Sequence, residues 1–162
     1  MAAYVRVQTD DFNIAEEIAQ LRLRNPRVGA VASFMGCVRD MNEGDSVNLM
    51  YLEHYPGMTE RELERISSEA ASRWDVFDTL VIHRVGELRP LDQIVLVIVT
   101  SAHRGEAFAA CEFMMDYLKT QAPFWKREST PDGERWVEAR ASDDAAAQRW
   151  QTREPRPQAH AK

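Results

Sequence analysis

The chain has 162 residues, 44% hydrophobic and 28% charged, and its 26 Asp and Glu against 20 Lys and Arg give a formal net charge of -6. That length and balance fit one globular domain whose core needs neither a disulfide framework nor a structural metal, and the acidic excess excludes broad nucleic-acid affinity. With two cysteines, Cys37 and Cys111, no apolar leader over residues 1–8 and no run of about 18 apolar residues, a cytoplasmic protein without a membrane span is expected.

Tyr4, Val5 and Val7 predict a short first strand. Ile14, Ile18 and Leu21 then recur at helical spacing behind the capping candidates Asp10 and Asp11, and Asn25-Pro26 ends that helix. The apolar, β-rich run over 28–38 reads as a buried strand, in which Gly29 and Gly36 mark a bulge or a close backbone approach and Cys37 is an inert, buried thiol. Residues 39–46 are polar and loop-like. A second core strand is predicted over 47–54, followed by a Pro56-Gly57 turn and a Thr59-x-x-Glu62 capping box. The helix behind it should bury Leu63, Ile66, Ala70 and Trp74 and leave Glu60, Arg61, Glu64 and Arg65 in water.

Two more strands, around 79–84 and 93–100, bracket a loop with Gly86 and Pro90. Ser101 is placed to cap a helix whose Phe108, Cys111, Met115 and Leu118 repeat at steps of three and four until Pro123 forbids its continuation. Segments 124–129 and 135–140 flank the turn Pro131-Asp132-Gly133 as a hairpin, and 143–150 suits a last short helix. Strands and helices intermix over 1–150, which predicts a single α+β domain with a mixed sheet and packed helices. Residues 151–162 carry no apolar period and are expected to be a disordered tail.

Chemistry concentrates at a few points. Ser101-Ala102-His103-Arg104 stands where a strand hands over to a helix, a place where free N–H groups and the helix dipole favour anions. The ordinary alternative is a Ser cap followed by solvated polar residues. Lys119 closes one helix and Lys126 opens the next strand, so the Pro123 reversal can aim both ammonium groups at one site; the alternative is two solvated surface lysines. Period-two alternation puts Phe124, Lys126 and Glu128 on one strand face and Trp125, Arg127 and Ser129 on the other, so Glu128 can orient Lys126. Arg39 and Arg140 are further anion ligands or ordinary surface charges. The four histidines are scattered, no Cys-x-x-Cys or His-x-x-x-His spacing occurs, and neither a phosphate-binding Gly loop nor a Gly-x-Ser-x-Gly elbow is present, so no metal site is expected.

Several segments together resemble the large subunit of molybdopterin synthase. They are Leu52-Glu53-His54-Tyr55-Pro56-Gly57-Met58-Thr59, Val81-Ile82-His83-Arg84-Val85-Gly86-Glu87-Leu88, Ser101-Ala102-His103-Arg104, the stretch from Met115 through Lys119 and Lys126 to Glu128, and Trp136-Val137-Glu138-Ala139-Arg140. The resemblance reaches to about Trp150. It implies an α/β hammerhead-like fold and a homodimer within a heterotetramer, each end docking a small ubiquitin-like sulfur-carrier subunit. The carrier's Gly-Gly thiocarboxylate would sulfurate cyclic pyranopterin monophosphate twice, making the dithiolene of molybdopterin with no bound cofactor.

Carried over residue by residue, the family pocket falls on Arg39, His103, Arg104, Lys119, Lys126 and Glu128, with Phe34, Met115 and Arg140 close by and with Cys37, Val38 and Arg127 as chain neighbours in the substrate-binding set. Lys119 and Lys126 are the implied catalytic pair. Cys37 departs from the pattern, which often carries a polar or basic residue there, so a backbone contact is what the resemblance leaves at that position. The competing class is a non-catalytic module that captures the C-terminus of a ubiquitin-like partner in the same basic pocket. A stand-alone phosphomonoesterase would need a metal cluster or nucleophile for which the sequence offers no candidate.

Overall fold

A computed structural model of the chain describes residues 1–42, 44–137 and 141–151. Arg140 and the expected tail beyond Gln151 lie outside the described residues. The elements run β1 (Ala2–Gln8), α1 (Ile14–Arg22), β2 (Ala30–Cys37), β3 (Met41–Asn42), β4 (Asp45–Ser46), β5 (Leu49–His54), α2 (Met58–Arg73), β6 (Val76–Arg84), β7 (Gly86–Leu88), β8 (Gln93–Ser101), α3 (Arg104–Gln121), β9 (Phe124–Thr130), β10 (Gly133–Trp136) and α4 (Ala141–Gln148).

The first sheet is mixed, as expected. Its order is β1-β6-β8-β2, with β1 parallel to β6 and the other pairs antiparallel. A second, wholly antiparallel sheet of order β10-β9-β5-β7 stands apart from it, together with the two-stranded ribbon β3-β4. Separation of the strands into two sheets is not visible in their hydrophobic pattern.

The middle of β6, Leu80 to Ile82, and the run Ile94 to Val99 of β8 are continuously apolar because both faces of these strands are covered. Val81, Val95, Val97 and Val99 point to one side, where they meet Leu63, Ile66 and Ala70 of α2 and Ala107, Ala110 and Met114 of α3. The alternate residues Leu80, Ile82, Leu96 and Ile98 point to the other, against Ile14, Ile18 and Leu21 of α1. The result is three layers. A third, smaller cluster of Val38, Met50, Leu52 and Leu88 lies under the second sheet. Trp74, Phe113 and Trp150 meet edge to face, and the Trp150 indole donates to Asp116 at 2.6 Å, which seats the last turn of the described chain on α3.

Local chemistry departs from expectation at the helix ends. Asn13, not Asp10 or Asp11, caps α1, its side chain accepting from the Glu16 amide at 3.2 Å. For α2 the capping carboxylate is Glu60, which accepts from Gly57 N–H at 2.6 Å, so the helix starts before Thr59. Thr59 is instead buried and ties elements together: its hydroxyl donates to the Pro123 carbonyl at 3.0 Å and accepts from Tyr55 N–H at 3.1 Å. Ser101 is the last residue of β8, its hydroxyl donating to Asp75 O, and His103 takes the N-cap position of α3. Phe108 is 65% exposed, because the buried stripe of α3 runs through Ala107, Ala110, Cys111, Met114 and Leu118 and turns the neighbouring position outward.

Both flagged glycines have a backbone reason. A Cβ on Gly29 would lie 2.4 Å from the Ala102 carbonyl oxygen, so only glycine allows that approach. At Gly36 the pairing with β8 shifts register, which is the expected bulge. The run through β2 is not buried throughout, however. This is an edge strand, and Phe34, Met35 and Cys37 beyond its middle are exposed. Cys37 is therefore an accessible thiol, with Sγ 3.1 Å from Met35 Sδ. Cys111 is the buried one, and burial pushes its thiol up to about 12.

Candidate functional site

A cavity of about 590 Å³ opens between the first sheet, the end of α3 and the second sheet. Phe34, Gly36 and Cys37 of β2 and Arg39 just beyond it form one wall; Leu118 and Lys119 of α3 form another. Phe124, Lys126 and Glu128 of β9 enter from the second sheet, all on the face that alternation assigns to them. The Pro123 reversal works as expected: α3 stops at Gln121, β9 begins at Phe124, and both lysines line the same space.

Glu128 is the electrostatic centre of the wall. Its carboxylate is 1% exposed and lies 3.6 Å from Lys126 Nζ and 3.3 Å from an Arg135 guanidinium nitrogen. A desolvated carboxylate of this kind is stable only when paired, and once paired it fixes its partners in place. The Asn42 side-chain amide donates at 2.9 Å to Oε1, the same oxygen that faces Lys126, while Arg135 approaches Oε2. Three cations, Arg39, Lys119 and Lys126, thus line one cavity in a chain whose overall charge is negative.

His83 also lines the cavity, stacked on Phe124 with ring centroids 3.8 Å apart. Its Nδ1 lies 2.8 Å from the Arg84 carbonyl oxygen, which requires the Nδ1–H tautomer. Burial pushes this imidazole down to about 4, and the neighbouring charges of Lys119 and His54 push the same way. It is neutral at pH 7. Neither His83 nor Asn42 stood out as a site residue from sequence; Asn42 offers no local signal, and His83 lies within a strand where an inward histidine is ordinarily core.

Residues 7–121 match the family model described as MoaE protein. The chain belongs to the MoaE protein family. It is 63% identical to the molybdopterin synthase catalytic subunit of Ralstonia nicotianae over 146 residues, covering 90% of this chain and 83% of that one. It is 60% identical to the molybdopterin synthase catalytic subunit of Escherichia coli strain K12, covering 86% of this chain and 92% of that one. Among solved structures, the molybdopterin biosynthesis MoaE protein of Burkholderia ambifaria superposes with a TM-score of 0.80 at 59% identity, covering 93% of this chain and 99% of that chain.

The MoaE residues expected around the pocket do not all reach this cavity. His103 and Arg104 stand at the N-terminal end of α3, about 22 Å along the helix axis from Lys119 at roughly 1.5 Å per residue. Arg127 is on the opposite face of β9, over the rings of Tyr51 and Trp136 at 5.2 and 5.9 Å, because strand alternation turns it away from its neighbours. Met115 packs in the main core, one helical turn before Lys119. Val38 is buried in the third cluster, its N–H donating to Asp92 O and its carbonyl accepting from Leu91 N–H, so its backbone is used inside the fold. Among the described residues, no group of three or more His, Cys, Asp or Glu could hold a metal ion, and no helix is long and apolar enough to cross a membrane.

Proposed function

We propose that this chain is the catalytic subunit of a cytoplasmic molybdopterin synthase, moving sulfur from the C-terminal thiocarboxylate of a small ubiquitin-like subunit to cyclic pyranopterin monophosphate. The observation that carries the reading is the convergence of Arg39 from the β2–β3 connection, Lys119 from α3 and Lys126 from β9 on one cavity. Two anions must meet there. At a separation of 4 Å two like unit charges repel by about 4 kcal/mol at an effective dielectric near 20, so a thiocarboxylate and a phosphate ester need fixed positive charge between them.

In this reading Arg39 grips phosphate oxygens with its planar fork, and Lys119 stands at the reacting carbon and the incoming sulfur. Lys126, held by buried Glu128, stabilises the charge that develops as sulfur changes partner. Each transfer makes one carbon–sulfur bond to the pterin and breaks one acyl–sulfur bond and one carbon–oxygen bond at the accepting pterin carbon, whose oxygen leaves as water or with the phosphate. The carrier's acyl carbon takes an oxygen from water and ends as a carboxylate. Neutral His83 and the Phe124 ring give the wall an uncharged, flat surface beside the pterin position.

His103 and Arg104 join the same site only from a second copy of the chain, since their own α3 carries them far from Lys119. Support for that comes from the uncovered apolar edge at the cavity: Phe34 is 42% and Met35 38% exposed on an edge strand. The assembly is then a homodimer with a small subunit at each end.

The test mixes the purified chain, cyclic pyranopterin monophosphate and a thiocarboxylated small subunit and follows dithiolene product by mass spectrometry. Product that needs all three components is expected. Lys119→Ala should lower turnover by about 100-fold or more with the fold retained, the scale seen when one preorganised transition-state donor is removed. Arg39→Ala should instead raise the precursor KM, by about 10-fold or more, as loss of a charged hydrogen bond predicts. Tight capture of the small subunit without product would favour the binding module, and near-normal turnover by Lys119→Ala would remove Lys119 from the chemistry.

A further inference from the structure

Asn42 stands on the two-residue strand β3, which among the described residues pairs with the equally short β4. It is nonetheless buried, and its contacts reach across 86 residues of sequence to the second sheet. Its Nδ2 donates to Glu128 Oε1 at 2.9 Å, its Oδ1 lies 3.4 Å from Arg39 Nη2, and its backbone carbonyl accepts from Arg135 Nη2 at 3.0 Å. The amide orientation is forced, because a carboxylate can only accept and a guanidinium can only donate.

We propose that Asn42 is a positioning residue that links Arg39 to Glu128 without neutralising it, so that the guanidinium faces the cavity with its full charge available to an anionic ligand. The amide is the side chain suited to this place. A carboxylate at position 42 would pair with Arg39 and repel Glu128, while an alkyl group would strip a hydrogen bond from a carboxylate that has no water to turn to. Among the described residues no carboxylate forms an ion pair with Arg39, whereas Lys126 and Arg135 share Glu128. Lys126 and Arg135 thus hold and are held by the buried carboxylate, whereas Arg39 is held at one remove by a neutral relay.

The inference rests on the reading of the cavity as an anion site, and it is separable from sulfur transfer. Inorganic phosphate is titrated calorimetrically into the wild-type chain, Arg39→Ala, Asn42→Ala, Asn42→Asp and the Arg39→Ala/Asn42→Ala pair. Asn42→Ala should weaken phosphate by several-fold, Asn42→Asp by more, and the double variant should bind no worse than Arg39→Ala alone within about twofold, because both changes remove one coupled unit. In the reconstituted reaction Asn42→Ala should raise the precursor KM by a similar factor and lower kcat by less. Losses that multiply in the double variant, an unchanged phosphate affinity in Asn42→Ala, or no phosphate binding by the wild type would each overturn the proposal. Should Asn42→Ala not fold, Asn42→Ser serves in the same cycle. A wild-type chain that forms no sulfurated product while the phosphate cycle stays coupled would refute the synthase reading and leave the Asn42 relay standing.

Discussion

His83 is a buried base whose proton affinity differs sharply between the folded and unfolded chain. In the unfolded chain it titrates near 6.5, and in the fold, burial with the help of Lys119 and His54 brings it to about 4. Between those values the unfolded chain binds a proton that the folded chain refuses, so stability falls as pH drops through the window from about 6.5 to about 4. The full effect of such a shift is roughly 3 kcal/mol. Urea unfolding at pH 7 and pH 4.5 should show this loss in the wild type and a shallower loss in His83→Gln. Equal slopes for both would place the acid sensitivity elsewhere. The residue scale is also where sequence reading was least complete. Arg39, Lys119, Lys126 and Glu128 were legible because their side-chain types announce charge and because strand and helix periods say where they point. His83 and Asn42 acquire their roles only through partners far along the chain, Phe124 in one case and Glu128 in the other.

At the scale of elements, the α3–β9 reversal that presents Lys119 and Lys126 is anchored by a residue from another helix. The Thr59 hydroxyl, fully buried at the start of α2, donates to the Pro123 carbonyl and accepts from Tyr55 N–H. Thr59→Val keeps the shape and removes both bonds, leaving two backbone groups without their partner at a cost of about 1–3 kcal/mol. Turnover should fall with the midpoint of thermal unfolding, since the turn that sets the separation of the two lysines loses its tie. Unchanged activity with the stability loss intact would mean that the reversal is held by Pro123 and the strand register alone. The Thr59-x-x-Glu62 pattern pointed to the right helix and the wrong role, because a capping box and a tertiary anchor use the same residue type. Several elements were legible: the α2 stripe, the existence of strands β6 and β8 though not the burial of both their faces, and the stop at Pro123. The second sheet was not, since nothing in an alternating strand says which sheet it joins. The exposed half of β2 was misread for a related reason: an edge strand awaiting a partner looks like a core strand in sequence.

At the scale of the whole molecule, the position of His103 and Arg104 decides how many chains make one site. Both residues belong to the family's pocket by resemblance, and both stand about 22 Å from Lys119 along one rigid helix at roughly 1.5 Å per residue. A helix cannot bend its ends together, so if these side chains act at the cavity they do so across a twofold interface, where each copy lends its α3 N-terminus to the other. Such an arrangement has a quantitative consequence. Arg104→Ala and Lys119→Ala, each nearly inactive alone, are mixed in equal amounts and allowed to exchange subunits. About half of the dimers are then mixed, and each mixed dimer holds one site with both defects and one with neither, so activity should recover to about one quarter of the wild type. Recovery must depend on exchange, appearing after dilution and reassociation and not on simple mixing of stable dimers. If both groups served a site within one chain, every site in the mixture would carry one defect and no recovery would occur. A mixture that stays inactive after proven exchange would therefore confine the site to a single copy and remove His103 and Arg104 from it.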